Sequence, residues 1–478
     1  MLKTIRSWWQ DKLLRGVLKN TSYLFSSNSL SAALGMVNSI FVVRLLGVEG
    51  LGLVTTVQTF VSNINRFLSF RMSEVVVKYL GQALAINPDS NGETFPAAES
   101  SNQDNILNQQ AAAIVKGIGL LEAATSILAY IILVLLAPWA ANVLLKDPSL
   151  TALIPVYGLM LLANLIYETS VGVLQATKHF SWLGTVNTIQ SIITAILILV
   201  SFLLQRSILD VLGAYLLGKS FAGLSISILA IRQLSRSLGH RWWFVSLKVV
   251  KDWRSLLGFA VNTNLNGTVN LVTRDNAPLY LAALTPPELT QAYVGYFKLG
   301  LSIINFITLP IDPFIWPTYA EITRTIALRQ WQKTRNLLKQ VSSIAAAWTV
   351  AAAVGIALLG WWLIPLLWGS TASPAYFVVL ILLIGYGIAN IFNWNRPLFL
   401  AFGKPSYPLF VALVVGVIEI FLVLWFVPAG GYLVMAAILS GYLAISVGII
   451  ALKGWRLIRF HELAEQVSDK NTSGDIQV

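Results

Sequence analysis

Long apolar stretches separated by short polar ones dominate the chain. Near 21–43, 50–70, 111–137, 150–174, 182–204 and 208–231 the apolar run reaches the roughly 20 residues that a helix needs to cross a bilayer. A second series follows near 255–274, 291–313, 341–363, 375–396, 405–427 and 431–452. The pattern predicts an all-α polytopic membrane protein of about twelve transmembrane helices. Its expected parts are an interfacial helix (1–20), a six-helix lobe (21–231), a basic cytoplasmic linker (232–254), a second six-helix lobe (255–453) and a cytoplasmic tail (454–478). Residues 86–108 are polar and rich in Asn and Ser, which predicts a flexible cytoplasmic loop. Residues 319–339 are basic, with Trp331 and leucines interleaved, and predict an amphipathic surface helix joining the eighth and ninth spans. Residues 1–19 place Leu2, Ile5, Trp9 and Leu13 at helical spacing among five cations, and no cleavage site follows a short apolar core. They read as a basic amphipathic helix on the inner membrane surface, not as a signal peptide. The tail after His461 reads as disordered.

Composition narrows the function classes. The chain has 478 residues, of which 56% are hydrophobic and only 11% charged, and its mean hydropathy is +0.71. A soluble protein of this size could not hide so much apolar surface. The absence of cysteine excludes disulfides and thiolate metal sites. His179, His240 and His461 lie far apart, so no metal cluster and no cofactor is expected. The net charge of +12 fits basic loops held against anionic lipid, not nucleic acid. No Walker-type phosphate loop is present, so the chain has no ATPase of its own. Lys and Arg alternate with the spans: Arg71, Lys78, Lys178, Arg232 to Arg254, Arg324 to Lys339, Arg396, Lys404 and Lys453 onward on one side, little more than Arg44, Lys146 and Arg206 on the other, with Arg274 as a further candidate there. The basic side is cytoplasmic by the positive-inside rule, so both termini are expected there.

The chain repeats itself. Residues 162–180 align without gaps to 388–406, with Ala163, Asn164, Leu174 and Lys178 matching Ala389, Asn390, Leu400 and Lys404. Both segments are the fourth span of a six-span half plus its following inner loop, and a looser match pairs 49–80 with 289–320. Two such halves form parallel repeats, which place a substrate path between them and alternate access by rocking.

Ionisable side chains inside spans are costly and usually line cavities. In the seventh span Asn262, Asn266, Asn270 and Arg274 recur every four residues on one helix face. They form a cavity wall or, alternatively, hydrogen bonds that glue helices together. The second span repeats the pattern with Thr55, Thr59, Ser62 and Arg66, where Arg66 either faces a cavity or pairs with an acid. The eighth carries Lys298, Ser302, Asn305 and Asp312, with Pro310 and Pro313 marking a gate or a fixed kink. Lys219 lies in the sixth span and Asn390 in the tenth. The acids Glu122, Glu168, Asp312 and Glu419 are candidates for ion pairing or ion coupling. Cations outnumber acids, so the path should favour an anionic passenger.

Residues 41–70 resemble the first helix pair of polysaccharide-biosynthesis flippases, where an R-x-L-G-x-x-x-x-G segment joins the helices. Arg44, Leu46, Gly47 and Gly52 fit it, and the GKP turn at 403–405 is also similar. The family belongs to the multidrug/oligosaccharidyl-lipid/polysaccharide exporter superfamily. The resemblance implies a V-shaped bundle of two pseudo-symmetric six-helix lobes in the inner membrane, moving polyprenyl-pyrophosphate-linked oligosaccharides to the outer leaflet. It implies no enzymatic activity. It assigns Arg66, Lys219, Arg274 and Lys298 to anion contact and the asparagine stripe to sugar hydroxyls. Lipid-linked oligosaccharide, membrane lipids and polysaccharide assembly proteins are the expected partners. The rivals are a cation-coupled multidrug exporter, which should show acids lining its lobes, and a membrane-embedded polymerase or glycosyltransferase, which needs catalytic groups on substantial loops.

Overall fold

The computed structural model describes residues 12–68, 72–85, 100–239, 241–250, 253–254 and 268–474. Among them the chain is helical, without strands. It divides into two compact units, Met1–Leu46 with Leu53–Leu271, and Gly47–Gly52 with Val272–Val478.

The first unit begins with α1 (Lys12–Leu68), two helices joined across a kink at Gly47, whose φ of 73° lies in the left-handed region that only glycine adopts freely. Its apolar part, Ser26–Leu68, spans 43 residues. At 1.5 Å per residue that is about twice the hydrocarbon thickness, so α1 holds two of the expected spans. The helix backbone from Lys12 onward is continuous with the first span, and residues 1–11 of the expected interfacial helix lie outside the described residues. There follow α2 (Met72–Ala85), α3 (Ser100–Ala140), α4 (Leu153–Ala163), α5 (Tyr167–Ala176), α6 (Phe180–Leu203) and α7 (Ile208–Ser237). The expected loop 86–108 is shorter than its polarity suggested, because α3 already begins at Ser100; residues 86–99 are not described.

The second unit contains α8 (Ala277–Leu284), α9 (Pro287–Thr308), α10 (Ile315–Ala327), α11 (Trp331–Trp368), α12 (Ala375–Ile391), α13 (Asn395–Ala401) and α14 (Ser406–Gly474), the last kinked at Gly431 with φ 59°. Most of the expected seventh span lies outside the described residues. Large apolar side chains stay exposed along the long helices: Leu135 on α3, Leu358 and Trp361 on α11, Phe421 and Trp425 on α14. In water such surfaces would aggregate, whereas in a bilayer they meet acyl chains.

Two expectations change. The surface helix at 319–339 is broken: α10 ends at Ala327, Arg329 turns with φ 53°, and residues from Trp331 open α11. The tail after His461 continues α14 as helix to Gly474. His461 stacks on Trp331 at 4.7 Å and Glu462 pairs with Arg335 at 3.4 Å, so tertiary contacts hold the helix where this segment begins.

The two repeat segments have one architecture. α4 and α5 are parted by a turn at 164–166 and closed by Lys178 at φ 60°, while α12 and α13 are parted at 392–394 and closed by Gly403 at φ 68°. The GKP turn thus places its glycine where the backbone is left-handed.

Candidate functional site

Polar side chains gather at distinct depths in each unit. Helix rise measures depth from the end opposite the basic loops. Arg66 lies about 21 Å along α1 from Gly52, and Lys219 about 17 Å along α7 from Ile208. Arg274 lies about 15 Å from Leu284 at the end of α8, and Lys298 about 17 Å along α9 from Pro287. Measured along its own helix, each lies about half to two-thirds of the way through a hydrocarbon layer about 30 Å thick.

In the first unit Arg66 and Lys219 are exposed and close enough to feel each other's charge. Two cations this close raise each other's cost. Arg66 sits in the last turn of α1, where the helix dipole also favours a cation. Ser62, one turn earlier, is half-buried.

Glu122 does something else. It is 2% exposed and sits about 27 Å from the outer end of α3, near the inner surface. One carboxylate oxygen accepts the Glu168 N–H and the other the Thr169 N–H, both at 2.8 Å. These are donors of the first turn of α5, left without helical partners by the break before it. Glu122 therefore caps α5 from a neighbouring helix. Glu168 in turn accepts the Ser73 hydroxyl at 2.6 Å, tying α5 to α2.

In the second unit the chain makes a π-turn over Leu271–Asp275. Such turns are rare and recur at functional sites, because the extra residue re-aims side chains. Here it presents Arg274, whose side chain is 44% exposed and whose Nε donates to Asp275 Oδ1 at 3.2 Å. Thr273 donates to the Tyr442 hydroxyl at 3.2 Å, and Tyr280 donates to the Val272 carbonyl at 2.8 Å. Tyr386 and Tyr442 lie within the field of Arg274. Glu419 lies within the field of Tyr280, Tyr386 and Tyr442. It is 3% exposed, and neither carboxyl oxygen has a hydrogen-bond partner among the described residues. It lies about 18 Å from Gly431 along α14.

The remaining candidates scatter. Asn270 is half-buried, while Asn262 and Asn266 lie outside the described residues. Lys298 is half-buried, and its carbonyl accepts the Ser302 hydroxyl at 2.9 Å. Asn305 and Asp312 are exposed toward the inner end of α9 and the 3₁₀ turn Leu309–Phe314, where Pro310 and Pro313 lie. Asn390 is buried and donates to Thr349 Oγ1 at 2.9 Å, joining α12 to α11. The tyrosines around Glu419 went unnoticed in the sequence, because a tyrosine in a span ordinarily reads as packing or interface.

Comparison with known proteins adds four relations. The family model described as polysaccharide biosynthesis protein matches residues 17–323. Inner membrane protein YghQ of Escherichia coli (strain K12) is 22% identical over 378 residues, covering 78% of this chain and 99% of its own. Among solved structures, an inward-facing multidrug resistance MATE family transporter of the MOP superfamily aligns with TM-score 0.64 at 13% identity, over 90% of this chain and 95% of that one. The lipid II flippase MurJ, in an inward closed conformation, aligns with TM-score 0.62 at 15% identity, over 94% and 92%. The all-helical fold is the one those transporters share.

Proposed function

The chain belongs to the polysaccharide biosynthesis protein family, and on that premise we propose that it is an inner-membrane flippase for a polyprenyl-pyrophosphate-linked oligosaccharide. One observation carries the reading: Arg66 and Lys219 in the first unit and Arg274 in the second are exposed within expected spans, where a charge is costly, and Lys298 is half-buried in another. A pyrophosphate is the part of such a lipid that most resists crossing hydrocarbon, since bare charge is expelled from low dielectric. Cations at mid-depth replace its hydration with charge-assisted hydrogen bonds. Asn270 and Ser62 add neutral donors and acceptors suited to sugar hydroxyls. The protein moves its substrate by alternating access and makes or breaks no covalent bond.

Glu419 is the proposed coupling group. A buried carboxyl without a hydrogen-bond partner is costly when charged, so it takes up a proton or cation from one side and gives it to the other. Glu122 is assigned to structure instead, since both its oxygens already bind backbone. The excess of cations at mid-depth argues against a pump for cationic drugs, whose lobes should offer acids.

Purified protein in proteoliposomes tests the proposal with a fluorescent polyprenyl-pyrophosphate oligosaccharide, its leaflet read by quenching. Accelerated flipping is expected, with no pumping of a cationic dye. Dye transport without glycolipid flipping would replace this reading by the drug exporter.

A further inference from the structure

A cavity of about 110 Å³ lies within the first unit, and neither Arg66 nor Lys219 lines it. Gly119 and Leu120 of α3, Ile231 and Leu234 of α7, and Trp242 and Trp243 are among the residues that line it. Apolar cavities of about this size stay dry and admit hydrocarbon. Leu120, Ile231 and Trp243 are also exposed, so the cavity has a mouth on the outer surface of the unit. Trp242 is buried in the core formed by α2, α3, α5, α6 and α7, and Phe244 stands 82% exposed beside it, as an interfacial anchor would.

The rim is positive. Lys116 donates to the Val245 carbonyl at 3.2 Å and lies 5.5 Å from the centre of the Trp243 ring. Arg232, Arg236 and Arg241 are exposed, and no acid occurs between Val211 and Lys251. An ammonium has three donors, and the Val245 carbonyl takes one. An apolar slot beside exposed arginines, at the cytoplasmic end of a helix bundle, matches one ligand chemistry: an anionic lipid with its acyl chain inside and its phosphate on the rim.

We infer that this cavity binds an anionic glycerophospholipid of the inner leaflet, one acyl chain in the slot and the phosphate against Lys116 and the α7 arginines. The site is separate from the translocated substrate. Its lipid would hold the turn carrying Trp242 and Trp243 against α3 and α7.

The test compares phosphatidylglycerol with phosphatidylcholine in nanodiscs and counts lipid retained by native mass spectrometry after transfer to detergent. Wild-type protein should retain phosphatidylglycerol preferentially. Gly119→Leu should fill the slot; a Cβ there meets only Thr169 and Ile166, at 3.7 and 4.0 Å, so the backbone accepts it. Retention should fall to the level of surrounding lipid. Arg236→Gln should lower the preference for phosphatidylglycerol about fivefold while leaving acyl-chain binding. Trp243→Ala, which opens the mouth, provides a second variant should Gly119→Leu fail to fold, and it too should lower retention. Equal retention of the two lipids by wild type, or unchanged retention in the filled and opened variants, overturns the site.

Discussion

At the scale of single residues, what distinguishes a working charge from a structural one here is depth together with partners. Arg274 pairs with Asp275 on its own turn and still exposes nearly half its side chain. Truncating it removes charge-assisted bonds to substrate while leaving Asp275 near the surface of the unit. Arg274→Ala is therefore expected to lower flipping by about 10- to 100-fold in proteoliposomes, with membrane insertion unchanged by immunoblot. Arg66→Ala and Lys219→Ala should behave alike, and Arg66→Lys should keep part of the activity because it preserves the charge but not the planar fork. Glu419→Gln makes the opposite contribution to stability. It replaces a buried carboxyl lacking hydrogen-bond partners by a neutral isostere, so thermal unfolding should occur at the same or a higher temperature, while transport loses its response to an imposed ion gradient. Activity that still follows the gradient would remove Glu419 from coupling. The four cations and Glu419 were legible in the sequence because charge inside an apolar run is conspicuous. Tyr280, Tyr386 and Tyr442 were not, since nothing in a linear pattern shows which acid a tyrosine will face.

At the scale of elements, close approach and capping decide the fold. The motif Arg44–Gly52 names two glycines, and the structure gives each a reason. Gly47 turns the chain, and Gly52 lies against the carbonyl of Gln291 on α9, where an added Cβ would stand 1.9 Å from oxygen. Gly295 on α9 approaches the Val48 carbonyl just as closely, at 2.2 Å for an added Cβ. Gly52→Ala or Gly295→Ala is expected to destabilise by about 1–3 kcal/mol, seen as a lower unfolding temperature in detergent, because backbone cannot yield as a side-chain tip would. Glu122→Gln should also destabilise, by about 1–2 kcal/mol, since the amide has one acceptor oxygen for the two α5 N–H groups. Hydrogen exchange at Glu168 and Thr169 should rise with it. Helix existence followed from hydrophobic runs. The break between α4 and α5, the π-turn at 271–275 and the helix at the start of the tail did not, because each meets a distant partner: Glu122 at the break, Tyr442 at the π-turn and Trp331 beneath His461.

At the scale of the whole molecule, sidedness in the membrane follows from where Lys and Arg fall between spans. A chain without cysteine permits a direct check, since each introduced thiol is the only one present. Ser149 and Thr371 are exposed, in the short turns before α4 and α12, on the side poor in cations. Ser237, at the end of α7, and Ser406, after the Lys404 turn, are exposed on the basic side. The cytoplasmic leaflet attracts basic segments by about 1 kcal/mol per residue, so a stretch such as Arg232–Arg254 sets orientation decisively. Ser149→Cys and Thr371→Cys should therefore react with an impermeant maleimide in spheroplasts, and Ser237→Cys and Ser406→Cys only after permeabilisation. The reverse pattern would turn the molecule over. It would put the phospholipid cavity in the outer leaflet and make the flippase proposal run in the wrong direction, because the basic rim and the entry side for the glycolipid are fixed by the same charges.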